Sequence, residues 1–214
     1  MPVAGMALCL PPSYCARMST TQNLSALGKL IAAHYGWPAA KAFKSYQMDD
    51  AARAKVSAAA LDILKIFPPL PAASALMSAA FAVRLEEMLD GPIQVVAGTL
   101  SVNDEPVFGD RTPVPAGLFG QSEVSWNGHV WVMIGPYVAD VSIFRTAYSR
   151  SGPAALSRHV DLMFGPNKGL YVDHWGRTRQ RGLKYESSYV LSRDEVDHQM
   201  AGAYHTIRAH AAHA

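Results

Sequence analysis

Apolar residues recur at helical spacing three times in the first ninety positions, and at strand spacing in the middle of the chain. Leu24, Leu27, Leu30 and Ile31 mark one face of a first helix, and Gly36 followed by Trp37-Pro38 closes it. In "MDDAARAKVSAAALDILKIF" the stripe is Val56, Ala60, Ile63, Leu64 and Phe67, with Asp49 or Asp50 as the cap and Pro68, Pro69 and Pro71 as the stop. A third helix follows in "AASALMSAAFAVRLEEMLDG" and ends at Asp90-Gly91-Pro92. Its stripe runs through Ser74, Met77, Ser78, Phe81, Leu85 and Met88, so Ser74 falls in the first turn and faces inward.

The pattern then changes period. "IQVVAGTL" reads as a strand, followed by an irregular stretch from Asn103 to Gln121. "SEVSW", "HVWVMI" and "YVADVSIF" are separated by Asn127-Gly128 and Gly135-Pro136, and predict a three-stranded antiparallel meander. A helix around "GPAALSRHVDLMFG", a basic irregular piece with one or two short strands, and a final helix from Arg193 complete the chain. Helices, a meander and helices again predict an α+β fold, with a small antiparallel sheet carrying a packed helix and with a C-terminal helix. Residues 1–21 read as a flexible segment and residues 22–214 as a single domain.

Composition narrows the possibilities. With 214 residues, half of them apolar, the chain can bury one substantial core. A charged fraction of 17% and a formal net charge of +2 give no general bias toward nucleic acid or a membrane surface. Cys9 and Cys15 are neither a disulfide framework nor a zinc set, and no segment reaches about 18 uninterrupted apolar residues, so a cytoplasmic protein without a membrane span is expected.

Within the predicted meander, "WNGHVWVMIGPYVADVSIF" carries His129 and Asp140. A two-residue loop at either Gly135-Pro136 or Ile134-Gly135 puts both on one sheet face, diagonal in the first register and directly opposite in the second. A three-residue loop would separate them. An imidazole held by a carboxylate is the orienting half of a nucleophilic triad, and it is equally a structural hydrogen bond at a sheet edge.

"NGHVWVMIGPYVADVS" resembles the His-Asp hairpin of the transglutaminase-like branch of the papain-like cysteine proteases and acyltransferases. "SALMSAAFAVRLEEMLDGPIQVVAG" is similar to that branch's nucleophile helix and following strand. The resemblance covers residues 70–145. It implies a papain-like or transglutaminase-like core and an acyl-transfer enzyme without a cofactor or metal, acting on an amide, isopeptide or ester carbonyl of a protein or peptide. Proteases and deamidases of that kind occur among bacterial effectors and toxins. The catalytic set carried over is position 74 as nucleophile, His129 as base and Asp140 as orienting group. The family has Cys at that first helical turn, and the matching position in this chain is Ser74, or Ala73 or Ala75 if the register is shifted by one. Three explanations stand: a Cys-to-Ser or Cys-to-Ala replacement that traps substrate, a natural serine enzyme, or a non-catalytic relative that binds a peptide or nucleic acid in the same cleft. A hydroxyl ionises far less readily than a thiol, so His129 would have to act as a full general base.

Other residues are weaker candidates. Trp126 and Trp131 suit a cleft wall or core, and His174 beside Asp173 and Trp175 could line a pocket. Arg177, Arg179, Arg181 and Lys184 alternate as if along an extended basic edge that could hold an acidic group or a phosphate. His205, His210 and His213 lie in an alanine-rich tail whose spacing does not make a metal site, and His34 and His159 read as helix-boundary residues.

Overall fold

The computed structural model describes residues 20–70, 73–109, 113–121, 124 and 126–212. Residues 1–19, most of the segment read as flexible, lie outside these. The fold class is α+β.

Helix α1 (Thr20–Ser45) is broken at Gly36, where φ 81 and ψ 166 fall in a region open to glycine. The Gly-Trp-Pro signal that predicted an end instead redirects the helix, with Pro38 in the first turn of the second piece, where its missing N–H costs nothing. Asp49, rather than Asp50, caps α2 (Asp50–Ile66), accepting from the Ala52 N–H at 2.7 Å. Helix α3 (Ser74–Met88) has the predicted stripe, and Met77, Ser78, Phe81 and Leu85 are buried.

Strand β1 (Ile93–Val102) runs to Asn103-Asp104. Both take left-handed φ values of 50 and 66, and the chain returns as β2 (Glu105–Phe108). Asn-Asp here is a hairpin turn, so residues 103–108 are not the irregular piece expected. Leu118–Gly120 form one 3₁₀ turn. Strand β3 (His129–Ile134) and β4 (Tyr137–Asp140) are the predicted hairpin. The strand expected at "SEVSW" is absent at Val124 and Trp126, the remainder lying outside the described residues. The place beside β3 is taken by β1, which pairs Gly98 with His129 and Val95 with Val132. "SIF", expected to extend β4, begins α4 (Ile143–Tyr148).

Helix α5 (Ala154–Met163), β5 (Tyr171–His174), the short α6 (Trp175–Thr178), β6 (Leu183–Val190) and α7 (Arg193–Ala211) follow. A full capping box between Ser192 and Glu195 starts α7. The antiparallel sheet has the order β2-β1-β3-β4-β5, with β6 on the other edge of β1. Strand alternation sends Val130, Val132 and Ile134 toward α2, α3 and α7, and Trp131 and Met133 toward α1, α4 and α5.

Arg145 of α4 joins the two sides, donating to the carbonyls of Leu64, Phe67 and Pro68 at the C-terminal end of α2. Carbonyls at a helix end have no intrahelical donor, and a cation there also meets the negative end of the dipole. Arg145→Ala is expected to lower unfolding stability by about 2 kcal/mol in urea titration, and Arg145→Lys to recover only part, because an ammonium cannot span three carbonyls as a guanidinium does.

Candidate functional site

The β3–β4 turn is Gly135-Pro136, with Ile134 paired to Tyr137 and Val132 to Ala139. Gly135 has φ 53, the positive value a type II′ turn requires at its first central position. This is the register that leaves His129 and Asp140 diagonal on one face. The imidazole Nε2 lies 2.6 Å from Asp140 Oδ2, and both side chains are buried.

Asp140 has further donors. Its Oδ1 accepts from the Ser142 N–H, the Ser142 hydroxyl and the Ile143 N–H, each at 3.0 Å, and so caps α4. Its Oδ2 also accepts from the Tyr185 hydroxyl at 3.1 Å. Burial alone pushes the carboxyl up; the His129 ring and the Ser142 donors outweigh it and hold the group below its usual range. Burial, then the Asp140 charge, push the Tyr185 phenol well up, so it remains a neutral donor. An ionised carboxylate only accepts, so Nε2 carries the proton, and in the neutral ring Nδ1 keeps the lone pair.

Two strands meet end to end along one edge of β1 at this point. Gly98 faces His129 and, two residues on, Leu100 faces Phe108. That places the Phe108 ring stacked on the imidazole at 5.2 Å, with Trp131 at 6.2 Å behind it.

A cavity of about 720 Å³ opens at these strand ends. His129, Phe108, Trp126, the first turn of α3 with Ser74, the α4–α5 connection and Gln199 line it. Ser74 is the first residue of α3 and half-buried, and among the described residues no side chain caps that helix, which leaves its first N–H groups without a side-chain acceptor there. One turn later Ser78 donates to the Val130 carbonyl at 2.9 Å and fixes α3 on β3. Ser74 and His129 therefore border the same space. They enter it from opposite faces of the sheet, α3 lying over Val130 and His129 lying with Trp131, and no hydrogen bond joins them among the described residues.

The other predicted residues fall elsewhere. Trp131 is wholly buried and makes core, not cleft; of the two tryptophans only Trp126 lines the cavity. His174 caps α6, its Nδ1 accepting from the Gly176 N–H at 3.2 Å, and packs edge-on to Tyr137, outside the cavity lining. Arg177 is likewise outside it and pairs with Asp173 at 2.9 Å. The segment 177–181 is a helical turn and a 3₁₀ turn, not an extended edge; Arg181 shares Asp173 with Arg177, Arg179 faces Asp104, and Lys184, on β6, pairs with Glu186. His159 is buried and bonds the Arg181 carbonyl at 2.8 Å, whereas His34 is exposed. His205 and His210 are exposed on α7, and His213 lies outside the described residues.

Tyr185, Ser142, Phe108 and Gln199 were not singled out by sequence. Asp140 followed two positions later by Ser142 is an Asx-type cap signal that could have flagged one of them. Among the described residues no group of three or more His, Cys, Asp and Glu is placed to hold a metal, and no helix is long and apolar enough to cross a membrane. Comparison with protein-family models, curated proteins and solved structures returned no match.

Proposed function

We propose that the cavity is the site of an acyl-transfer chemistry, in which a protein or peptide amide, isopeptide or ester carbonyl is attacked by the residue at position 74. His129 serves as base and acid through Nδ1, and Asp140 holds the ring and stabilises the imidazolium. The free N–H groups at the start of α3 would receive the developing oxyanion. The observation that carries this is the buried His129–Asp140 pair bordering a large cavity, with a helix N-terminus at its opposite wall. Ser74 stands where the chemistry would favour a thiol.

The test is iodoacetamide alkylation of the Ser74→Cys chain across pH 5 to 9, mapped by mass spectrometry. The expected result is labelling at residue 74 about tenfold or more faster near pH 6 than a free cysteine peptide, reduced when His129→Ala is added. Alkylation with the ordinary thiol profile, indifferent to His129→Ala, would overturn it.

The separation of Ser74 and His129 on opposite sheet faces favours a second reading, a non-catalytic chain that holds a peptide in the same cavity. The natural residue at position 74 and the alkylation profile divide the two.

A further inference from the structure

Gln199 lies in the middle of α7, 2% exposed, and lines the same cavity. Its Nε2 donates to the Phe119 carbonyl at 2.7 Å. A carbonyl oxygen only accepts, so the amide orientation is fixed by chemistry: nitrogen toward Phe119, Oε1 away from it. Phe119 is itself held, its ring stacked with Tyr189 at 6.0 Å and edge-on to Trp126. Oε1 is buried and, among the described residues, has no hydrogen-bond partner. Of the unpartnered buried polar atoms among the described residues, those of Gln94, Trp131 and Tyr171 belong to residues that do not line the cavity; Gln199 does. An orphaned acceptor on an anchored amide is costly unless something donates to it.

We propose that Gln199 Oε1 is the acceptor for an N–H group of the ligand and is the specificity-determining residue of this cavity. The ligand class follows from the other walls. Leu70, Leu76, Val107, Phe108, Val124 and Trp126 are apolar, Ser74, Asn127, Thr146, Ser149 and Ser151 add neutral polar groups beside His129, and among the described lining residues there is no Asp, Glu, Lys or Arg. An ammonium group would be desolvated there without a counter-charge, and a carboxylate, whatever the hydroxyls of the wall donate to it, has no proton to give Oε1. The group taken is therefore an uncharged amide with an apolar or aromatic flank, which donates to Gln199 while its carbon side packs on the apolar walls. The proposal rests on the acyl-transfer reading only for which end of that amide reacts; the recognition itself is an equilibrium property of the full chain.

The experiment titrates the unmodified chain with 2-naphthamide, methyl 2-naphthoate and 2-naphthoate, following backbone and Gln side-chain amide resonances by NMR. These probes share one aromatic flank and differ in having an N–H donor, no donor, or a negative charge. The amide is expected to bind about tenfold or more tightly than the ester and the acid, with the Gln199 side-chain resonances moving on saturation. Gln199→Met is expected to bring amide and ester within about twofold of each other by weakening the amide alone. Equal binding of amide and ester by the unmodified chain, no binding of the amide, or unmoved Gln199 resonances would overturn the proposal; that comparison decides even where Gln199→Met does not fold. Amide preference alongside an ordinary alkylation profile for Ser74→Cys would remove the acyl chemistry and leave Gln199 as the selector of a binding cavity. A shifted alkylation profile without amide preference would do the reverse.

Discussion

Replacing Asp140 with alanine is expected to lower the stability of the chain by about 3–5 kcal/mol, measured as a fall in the urea unfolding midpoint at neutral pH. Five hydrogen bonds converge on this carboxylate, and the donors are the His129 Nε2, the Tyr185 hydroxyl, the Ser142 N–H and hydroxyl and the Ile143 N–H. Truncation leaves all five facing a void in the core, and also removes the group that starts α4 against the sheet. Asp140→Asn is expected to cost less than half as much, since its oxygen can keep the three donors at the α4 end. Its amide can face the Tyr185 oxygen, and the imidazole can switch tautomer to accept.

The pH dependence separates charge from shape. The folded-state pKa of Asp140 is held down, so the stabilisation it gives is complete above the unfolded carboxyl value of about 3.9 and is lost as pH falls through the lower folded value. Stability of the unmodified chain is expected to fall more steeply below about pH 4 than that of Asp140→Asn, whose amide does not titrate. Parallel acid profiles for the two would show that the carboxylate charge contributes nothing at this position.

Trp131→Ala is expected to produce a loss of similar size, about 3–5 kcal/mol, by a different route. The indole is fully buried on the face of the sheet shared with α1, α4 and α5. It packs at 5.1 Å on Tyr185, 6.2 Å on His129 and 6.5 Å on Trp175. Its Nε1 has no partner among the described residues, so removing it breaks no hydrogen bond there and the cost is that of the cavity. Trp131→Phe, which refills much of the space and removes the orphaned N–H, is expected to cost about 1 kcal/mol. If alanine and phenylalanine were equally destabilising in urea titration, packing would not be the cause. The contrast matters for the site, because the imidazole lies stacked between Trp131 and Phe108, and its orientation depends on both.

The longer helices were legible because each is signalled within its own sequence, as by the stripe through Met77, Phe81 and Leu85 and by the acidic cap at Asp49 or Asp50, whereas the short α4 and α6 carry no such stripe and were read as strand and as irregular chain. Local signals misled where they admit two outcomes. Gly36-Trp37-Pro38 stops a helix or redirects it, and tertiary packing of the second piece through Ala40 and Phe43 chose redirection. Asn127-Gly128 is a hairpin signal only if both flanking runs pair, and β1 took the edge of β3 that "SEVSW" was expected to occupy. A ten-residue, largely buried strand offers a longer ladder than a five-residue one.

By itself the sequence determined the α+β class and the helix stripes, and it put His129 and Asp140 on one face for either two-residue loop. A strand period of two leaves few registers, and the Gly-Pro turn signal limits them further. Only the tertiary structure decided which register holds, that Tyr185 and Ser142 complete the carboxylate's shell, and that Ser74 and His129 approach one cavity from opposite faces of the sheet. It also brought Gln199 of α7 to that cavity across 80 residues of chain from its partner Phe119. The division follows from range: a period or a cap is fixed by neighbours a few positions apart, whereas the face a helix covers is fixed by burying two cores at once.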